Sequence, residues 1–273
     1  MDWYKAKTIM IVFLIAVNIG LGIYIIVDNV NDKKIKNSVA DEVVELLEKN
    51  NIEVERKLLL SNTDSQNIKK INAQNIISDY FYFSKNIIGE NVKSFEDNVY
   101  ENNIGKVTFN GDNFKGESAD GYFLSEISTS KKNAKENAKK YLKSIGVDVN
   151  DATLKLEEKD DRFFVRFQRE IENKKIFKMN ITVELTHKGV VSVFGNWYNL
   201  KIEKETSEPK SIMGVMVEYM NTQEKKDKKI VVKNIDLGYG VISSKAFNEN
   251  VNLVPMWEIT DDSGNIKYIN ALM

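Results

Sequence analysis

Two adjoining stretches, KKNAKENAKKYLKSIG at 131–146 and LKLEEKDDRFFVRFQREIENKKIFKMNITVELT at 154–186, decide the fold. In the first, Ala134, Ala138, Tyr141, Leu142 and Ile145 recur at helical spacing and form one apolar stripe. Gly146 follows, a residue free to adopt the left-handed conformation that closes a helix. In the second the apolar period drops from about 3.6 to 2, the mark of strands with one face covered. Strands are expected over 154–158, 162–169, 176–186 and 190–202. The polar turns at 159–161, 172–175 and 187–189 are too short for anything but antiparallel neighbours. The spacing predicts a meander in which Phe163, Val165 and Phe167, with Ile181, Val183 and Leu185, face the helix.

Downstream the same order of elements begins again. Ser207-Glu208-Pro209 reads as a helix start, because proline suits the first turn, and Ile212, Met213, Met216 and Met220 supply a stripe. Strands follow over 230–240, 253–260 and 265–271. Strands grouped after helices, without βαβ alternation, argue for an α+β fold with helices covering one face of antiparallel sheets. Upstream, Ser38-Val39-Ala40-Asp41 resembles a capping box opening a helix with Val39, Val43, Leu46 and Leu47 on one side, ending near Asn50. A strand is expected from Ile52 to Leu60 and a helix through Ile68, Ile71, Ile76, Ile77 and Tyr80. A hairpin region is expected from Phe95 to Phe109 with Gly105 in its turn, and a short strand over 122–127.

Before all of this lies Thr8 to Val27, twenty uncharged residues of which thirteen are Ile, Val, Leu or Phe. At a rise of about 1.5 Å per residue such a helix spans a hydrocarbon core of roughly 30 Å. No A-x-A-like cleavage site follows Ala16, so the segment reads as an uncleaved anchor rather than a signal peptide. The expected organisation is a head at 1–7, a transmembrane helix at 8–27, the first part of an ectodomain at 28–130, and helix-plus-sheet units at 131–205 and 206–273. Lys5 and Lys7 before the span are matched by Lys33, Lys34 and Lys36 after it, so charge leaves its orientation open. Within the span Asn18 and Gly22 share one face, and Ala16 and Gly20 form a second small pair. Both are candidate contacts for a partner helix, worth about 0.6 to 2 kcal/mol for a polar pair in a membrane.

The chain has 39 basic and 40 acidic residues. The two signs balance and no long run of one sign marks a nucleic-acid-binding stripe, so no nucleic-acid partner is expected. The absence of cysteine excludes disulfides, thiolate metal sites and a thiol nucleophile. The one histidine, His187, falls in a turn. S-x-x-K occurs at 128–131 and 207–210 without the companion motifs of penicillin-binding enzymes. Asp261-Asp262-Ser263-Gly264-Asn265 lacks the bidentate glutamate of a calcium loop and reads as a hairpin turn. Glu157, Glu158, Asp160 and Asp161, interrupted by Lys159 and closed by Arg162, read as a solvated turn. Met213, Met216 and Met220 read as core rather than as a copper(I) site. No enzyme, cofactor or metal is expected.

Met1-Asp2-Trp3, Lys5, Lys7 and Thr8 at the start resemble the YycH/YycI family, most of all its YycI branch. So do Leu237-Gly238-Tyr239, Pro255-Met256-Trp257-Glu258-Ile259, Gly264 and Tyr268-Ile269-Asn270-Ala271 near the end. Between about residues 60 and 130 the likeness is one of element order. The resemblance implies a single-pass protein of the cell membrane with a cytoplasmic amino terminus and most of the chain outside. It also implies a non-enzymatic role: modulating a WalK (YycG) type sensor histidine kinase that governs cell-wall metabolism, together with a YycH-type sister regulator. The rival reading is an extracytoplasmic ligand-binding or protease-inhibitor-like module on the same anchor.

Overall fold

The computed structural model describes residues 34–60, 67–119, 123, 129–223, 229–241 and 251–272. The chain divides into two compact units, one of residues 1–64, 210–235 and 259–269 and the other of 65–209, 236–258 and 270–273. The expected span at 8–27, the head before it and most of the expected strand at 122–127 lie outside the described residues.

In the larger unit the helix-and-meander expectation holds. Helix α4 (Ala134–Ser144) packs on β8 (Arg162–Ile171) and β9 (Lys174–Thr186). Strand β7 (Ala152–Lys159) pairs antiparallel with β8, β8 with β9, and β9 with β10 (Gly189–Gly195). The register sets Phe163 opposite Leu185, Val165 opposite Val183 and Phe167 opposite Ile181. All six are buried, as is the full α4 stripe of Ala134, Ala138, Tyr141, Leu142 and Ile145. Burying side chains of this size contributes about 1.5 to 3 kcal/mol each, so this layer is the main core. Gly146 closes α4 at φ +85°, with the Val147 amide donating to Leu142 O at 2.8 Å. Trp197 is buried, its Nε1 donating to Asp148 O at 2.9 Å.

The stretch expected as one strand over 190–202 is two. It breaks at Asn196-Trp197, and β11 (Tyr198–Ser207) leaves the meander to pair with β2 (Ile68–Asn75). With β12 (Ile230–Val241) and β13 (Val251–Asp261), the strand order of the sheet is β11-β2-β13-β12-β9-β10-β6-β5-β4-β3. The last four are β3 (Lys93–Glu96), β4 (Val99–Glu101), β5 (Gly105–Asn110) and β6 (Asn113–Ser118). Helix α3 (Tyr80–Ile88), capped by Asp79 accepting from the Tyr82 amide at 3.0 Å, packs on this ribbon. Close approach needs a glycine: a Cβ at Gly116 would stand 2.8 Å from Ile87 Cγ2. Residues 95–109 hold parts of three strands rather than one hairpin, and Gly105 opens β5 instead of sitting in its turn.

The reading of Ile68 to Ile77 as helix is overturned. Ile68 and Ile71 are both buried in β2, and the β2–β11 register shifts beside them, between Ile202 and Thr206 of β11.

In the smaller unit a helix, α1, covers 34–48. It already includes the expected cap Ser38. The expected strand from Ile52 to Leu60 stops at β1 (Ile52–Val54), and a short helix, α2 (Arg56–Leu59), turns Leu59 inward in place of Leu58 and Leu60. Helix α5 (Ile212–Thr222) is capped by Ser211, whose Oγ accepts from the Gly214 amide at 3.2 Å, four residues beyond the expected Ser207. Its buried side carries Ile212, Met213 and Met216 as expected, plus Val215 and Tyr219. Of the downstream strands, residues 230–235 of β12, 259–261 of β13 and 266–269 of β14 (Ile266–Asn270) belong to this unit, and all three strands match their expected positions. The sheets are mainly antiparallel, but β12 is parallel to β1 in the smaller unit and to β9 in the larger.

Candidate functional site

The groups that could carry chemistry have local structural partners. His187 sits in the β9–β10 turn. Its Nδ1 is 3.0 Å from Thr129 O, which requires the proton on that nitrogen, and its ring stands edge-on to Phe163. Lys131, the last residue of the first S-x-x-K, pairs with Glu158 at 3.0 Å, while Ser128 lies outside the described residues. Lys210 of the second pairs with Glu218 at 2.9 Å. Asp160 and Asp161 form the β7–β8 turn with φ of 50° and 57°. Asp261 organises the β13–β14 turn by accepting from the Ser263 and Asn265 amides at 2.9 and 2.8 Å. Burial pushes its carboxyl up, but the hydrogen bonds from Asn265, Ser263 and Gly264 outweigh that and hold it below the ordinary range. Met213 and Met216 are core. Among the described residues no group of three or more carboxylate or imidazole side chains could hold a metal ion.

What stands out instead is α1. Its inward side buries Ala40, Val43 and Leu47, yet Ile35 is 63% exposed and Val39 and Leu46 are each 39% exposed. Positions 35, 39, 42 and 46 follow the alternating four-and-three spacing of a helix–helix seam, with Glu42 as its one polar member. The helix is braced by Lys49 on Glu45 at 2.7 Å, which holds the Glu45 carboxyl below its usual range, by Arg56 on Asp41, and by Asn50 Nδ2 donating to Leu46 O at 2.9 Å. An apolar seam on a helix already packed on its other side is a surface for a partner. Of the expected stripe Val39, Val43, Leu46 and Leu47, the fold buries Val43 and Leu47 and leaves Val39 and Leu46 outside. Their spacing from Ile35 was the available signal.

A second apolar surface lies on α3. Phe81 is 40% and Tyr82 67% exposed. Phe81 meets Tyr100 of β4 edge-on, and the Lys85 ammonium lies 5.9 Å from the Phe81 ring centre. A cleft of about 340 Å³ in the larger unit is lined by Lys69, Lys70, Glu205, Leu253 and Pro255 among others. The transmembrane candidates Ala16, Asn18, Gly20 and Gly22 lie outside the described residues. Among the described residues no helix is long and apolar enough to cross a membrane.

The described residues form an α+β fold with partly apolar exposed sides on α1 and α3. The YycI protein family matches residues 30–272, and the chain belongs to that family. The family is one of regulatory proteins, membrane-anchored in general and associated with the YycG kinase and with YycH. Two solved structures are similar at low identity. One is an uncharacterized protein from Eubacterium rectale ATCC 33656, with 15% identity, 81% of this chain and 83% of that one covered, and a TM-score of 0.45. The other is the Bacillus megaterium YpeB C-terminal domain, with 15% identity, 70% and 91% coverage, and a TM-score of 0.30. No curated protein matches the chain.

Proposed function

We propose that the chain is a non-enzymatic regulator that biases a YycG (WalK) type sensor histidine kinase controlling cell-wall metabolism. It would act from an anchor at 8–27, with the amino terminus in the cytoplasm and the ectodomain outside. The observation that carries the reading is the apolar seam of α1, which begins within eight residues of the end of the anchor in a chain of the YycI family. A transmembrane interface built on Ala16, Asn18, Gly20 and Gly22 would continue into Ile35, Val39 and Leu46, so that one partner helix pair is gripped in lipid and just above it. A regulator of this kind shifts its kinase only by binding one of the kinase's states better than the other. A YycH-type sister protein is the natural second member of the complex.

The test is crosslinking in native membranes followed by recovery of the tagged full-length chain, beside one variant with a foreign span and one with Val39→Gln and Leu46→Gln. Recovery of the kinase and sister protein with the native chain, reduced in both variants, supports the reading. Equal recovery with all three chains places the contact elsewhere, and recovery of neither partner from the native chain overturns the reading. In that last case a ligand-binding role centred on the 340 Å³ cleft, within the size range of small-molecule sites, takes its place.

A further inference from the structure

Helix α4 has a second side that the core does not use. From Lys131 to Ser144 the chain carries six lysines against one acidic residue, Glu136, five net positive charges in a protein whose overall charge is −1. Lys135, Lys140 and Lys143 are exposed and Lys139 is half-buried, while Ala134, Asn137, Ala138, Tyr141 and Leu142 fill the opposite side. Over α4 the basic side is therefore a continuous strip about 12 Å long between Lys135 and Lys143. Lys131 is neutralised by Glu158. Lys132, Lys135, Lys139, Lys140 and Lys143 have no carboxylate partner among the described residues, where at least ten other lysines do, Lys131 among them. At its carboxyl end the strip borders an open cleft of about 520 Å³ shared with Asp148, Val149 and Asn150.

Like charges packed this closely repel one another by a few tenths of a kcal/mol per pair, so the strip does not stabilise the fold. It is also unlike a penetrating interfacial helix, which would offer aromatic and aliphatic side chains beside its lysines. Here those side chains are buried. Compact ammonium groups without hydrophobic neighbours suit attraction to a diffuse anionic surface rather than recognition of one shaped ligand.

We infer that the lysine strip of α4 docks the larger unit onto the anionic headgroups of the bilayer that holds the chain's own anchor. The inference rests on the membrane-anchored reading of residues 8–27, which keeps the strip tethered near that surface and makes docking intramolecular. Docked and undocked ectodomains would differ in what they offer a partner, so the lipid composition of the membrane becomes an input to regulation.

The absence of cysteine permits a direct test. The full-length chain with Ser144→Cys, labelled there with a fluorophore, is reconstituted in neutral phosphatidylcholine vesicles and in vesicles enriched in phosphatidylglycerol, with an energy-transfer acceptor on the lipid. Transfer is expected to rise with the anionic fraction, to fall back in high salt, and to be lost when Lys135, Lys139, Lys140 and Lys143 are changed to Gln. That loss should be on the order of a thousandfold in the docked-to-free ratio. Transfer that ignores lipid charge, or survives the four substitutions, overturns the inference. So does inorganic polyphosphate that binds the chain while anionic vesicles leave transfer unchanged, since the strip then serves a soluble polyanion. Failure of the chain to float with neutral vesicles overturns the anchor, and the inference with it; flotation with lipid-independent transfer overturns the strip alone.

Discussion

Helices α1 and α4 each bury one side, Ala40, Val43 and Leu47 in the first and Ala138, Tyr141 and Leu142 in the second, but they meet solvent in opposite ways. Helix α4 follows the ordinary rule for an amphipathic helix and exposes lysines. Helix α1 keeps Ile35, Val39 and Leu46 outside. The buried sides answer to the fold, whereas the exposed sides are free to answer to whatever the helix meets. An apolar seam beside the expected anchor fits another protein helix, and a lysine strip fits a charged surface. The first way to break this contrast is to show that the buried sides are not equivalent. Leu47 and Leu142 are both 0% exposed, so Leu47→Ala and Leu142→Ala should each cost about 2 to 5 kcal/mol, read from urea unfolding followed by circular dichroism. Because the two leucines belong to different compact units, separate transitions, if seen, should shift one variant at a time. A loss under about 1 kcal/mol at either site would mean that its helix is not held by its inward side.

A smaller effect separates the helices at one buried position. Tyr141 is 2% exposed, and its hydroxyl has no hydrogen-bond partner among the described residues. An unsatisfied buried hydroxyl is destabilising, so Tyr141→Phe should gain about 1 kcal/mol at neutral pH, whereas the wholly apolar inward side of α1 offers no such gain. Burial pushes the Tyr141 phenol far above its ordinary value of 10.0. The sign follows from proton counting: above about pH 10 the unfolded chain ionises this phenol and the folded chain does not. The folded state then binds more protons, and stability falls as pH rises. Tyr198 is raised in the same direction by burial, and by its hydrogen bond to Asp112. The advantage of Tyr141→Phe over the native chain should therefore widen above pH 10 in alkaline melting curves; an advantage that stays constant would show that the hydroxyl finds a partner.

The contrast also accounts for how much of the molecule could be read from the amino-acid order. Helix α4 and β7 to β10 were legible because their partners are sequence neighbours. Alternation at Phe163, Val165 and Phe167 survives into the sheet when the next strand begins a few residues later. The pairing of β2 with β11 joins residues about 130 apart and carries a slipped register, and the three-residue spacing of Ile68 and Ile71 imitates a helical gap. Strand β1 pairs in parallel with β12, from Ile52 to Ile230, a partner that nothing local announces. In the candidate site, Ile35, Val39 and Leu46 were visible as apolar letters, but which side of α1 would be covered depended on the rest of its unit. Val39 and Leu46 were assigned inward, when Ala40 was the residue that packed. The lysines of α4 were visible as well, yet a charged exposed face is the default of any surface helix. They acquired meaning only when the structure left five of them without carboxylate partners.

The smallest effects sharpen the comparison most, because they separate stability from recognition. Glutamine favours helix about as well as leucine or lysine do and carries no charge. The pair Val39→Gln with Leu46→Gln on α1, and the pair Lys139→Gln with Lys143→Gln on α4, test each exposed side without lowering helix propensity, Val39→Gln raising it by a few tenths of a kcal/mol. Both pairs should change unfolding free energy by about 0.5 kcal/mol or less per site, the lysine pair in the stabilising direction because it relieves the (i, i+4) repulsion between positions 139 and 143. Against that flat background the other readouts should diverge. Partner recovery from membranes should fall for the α1 pair and hold for the α4 pair, while lipid-dependent energy transfer at residue 144 should fall for the α4 pair and hold for the α1 pair. A double dissociation of this form assigns protein contact to one helix and membrane contact to the other. If each pair impairs both readouts, the two exposed sides serve one interface, and the distinction between apolar seam and lysine strip has no functional content.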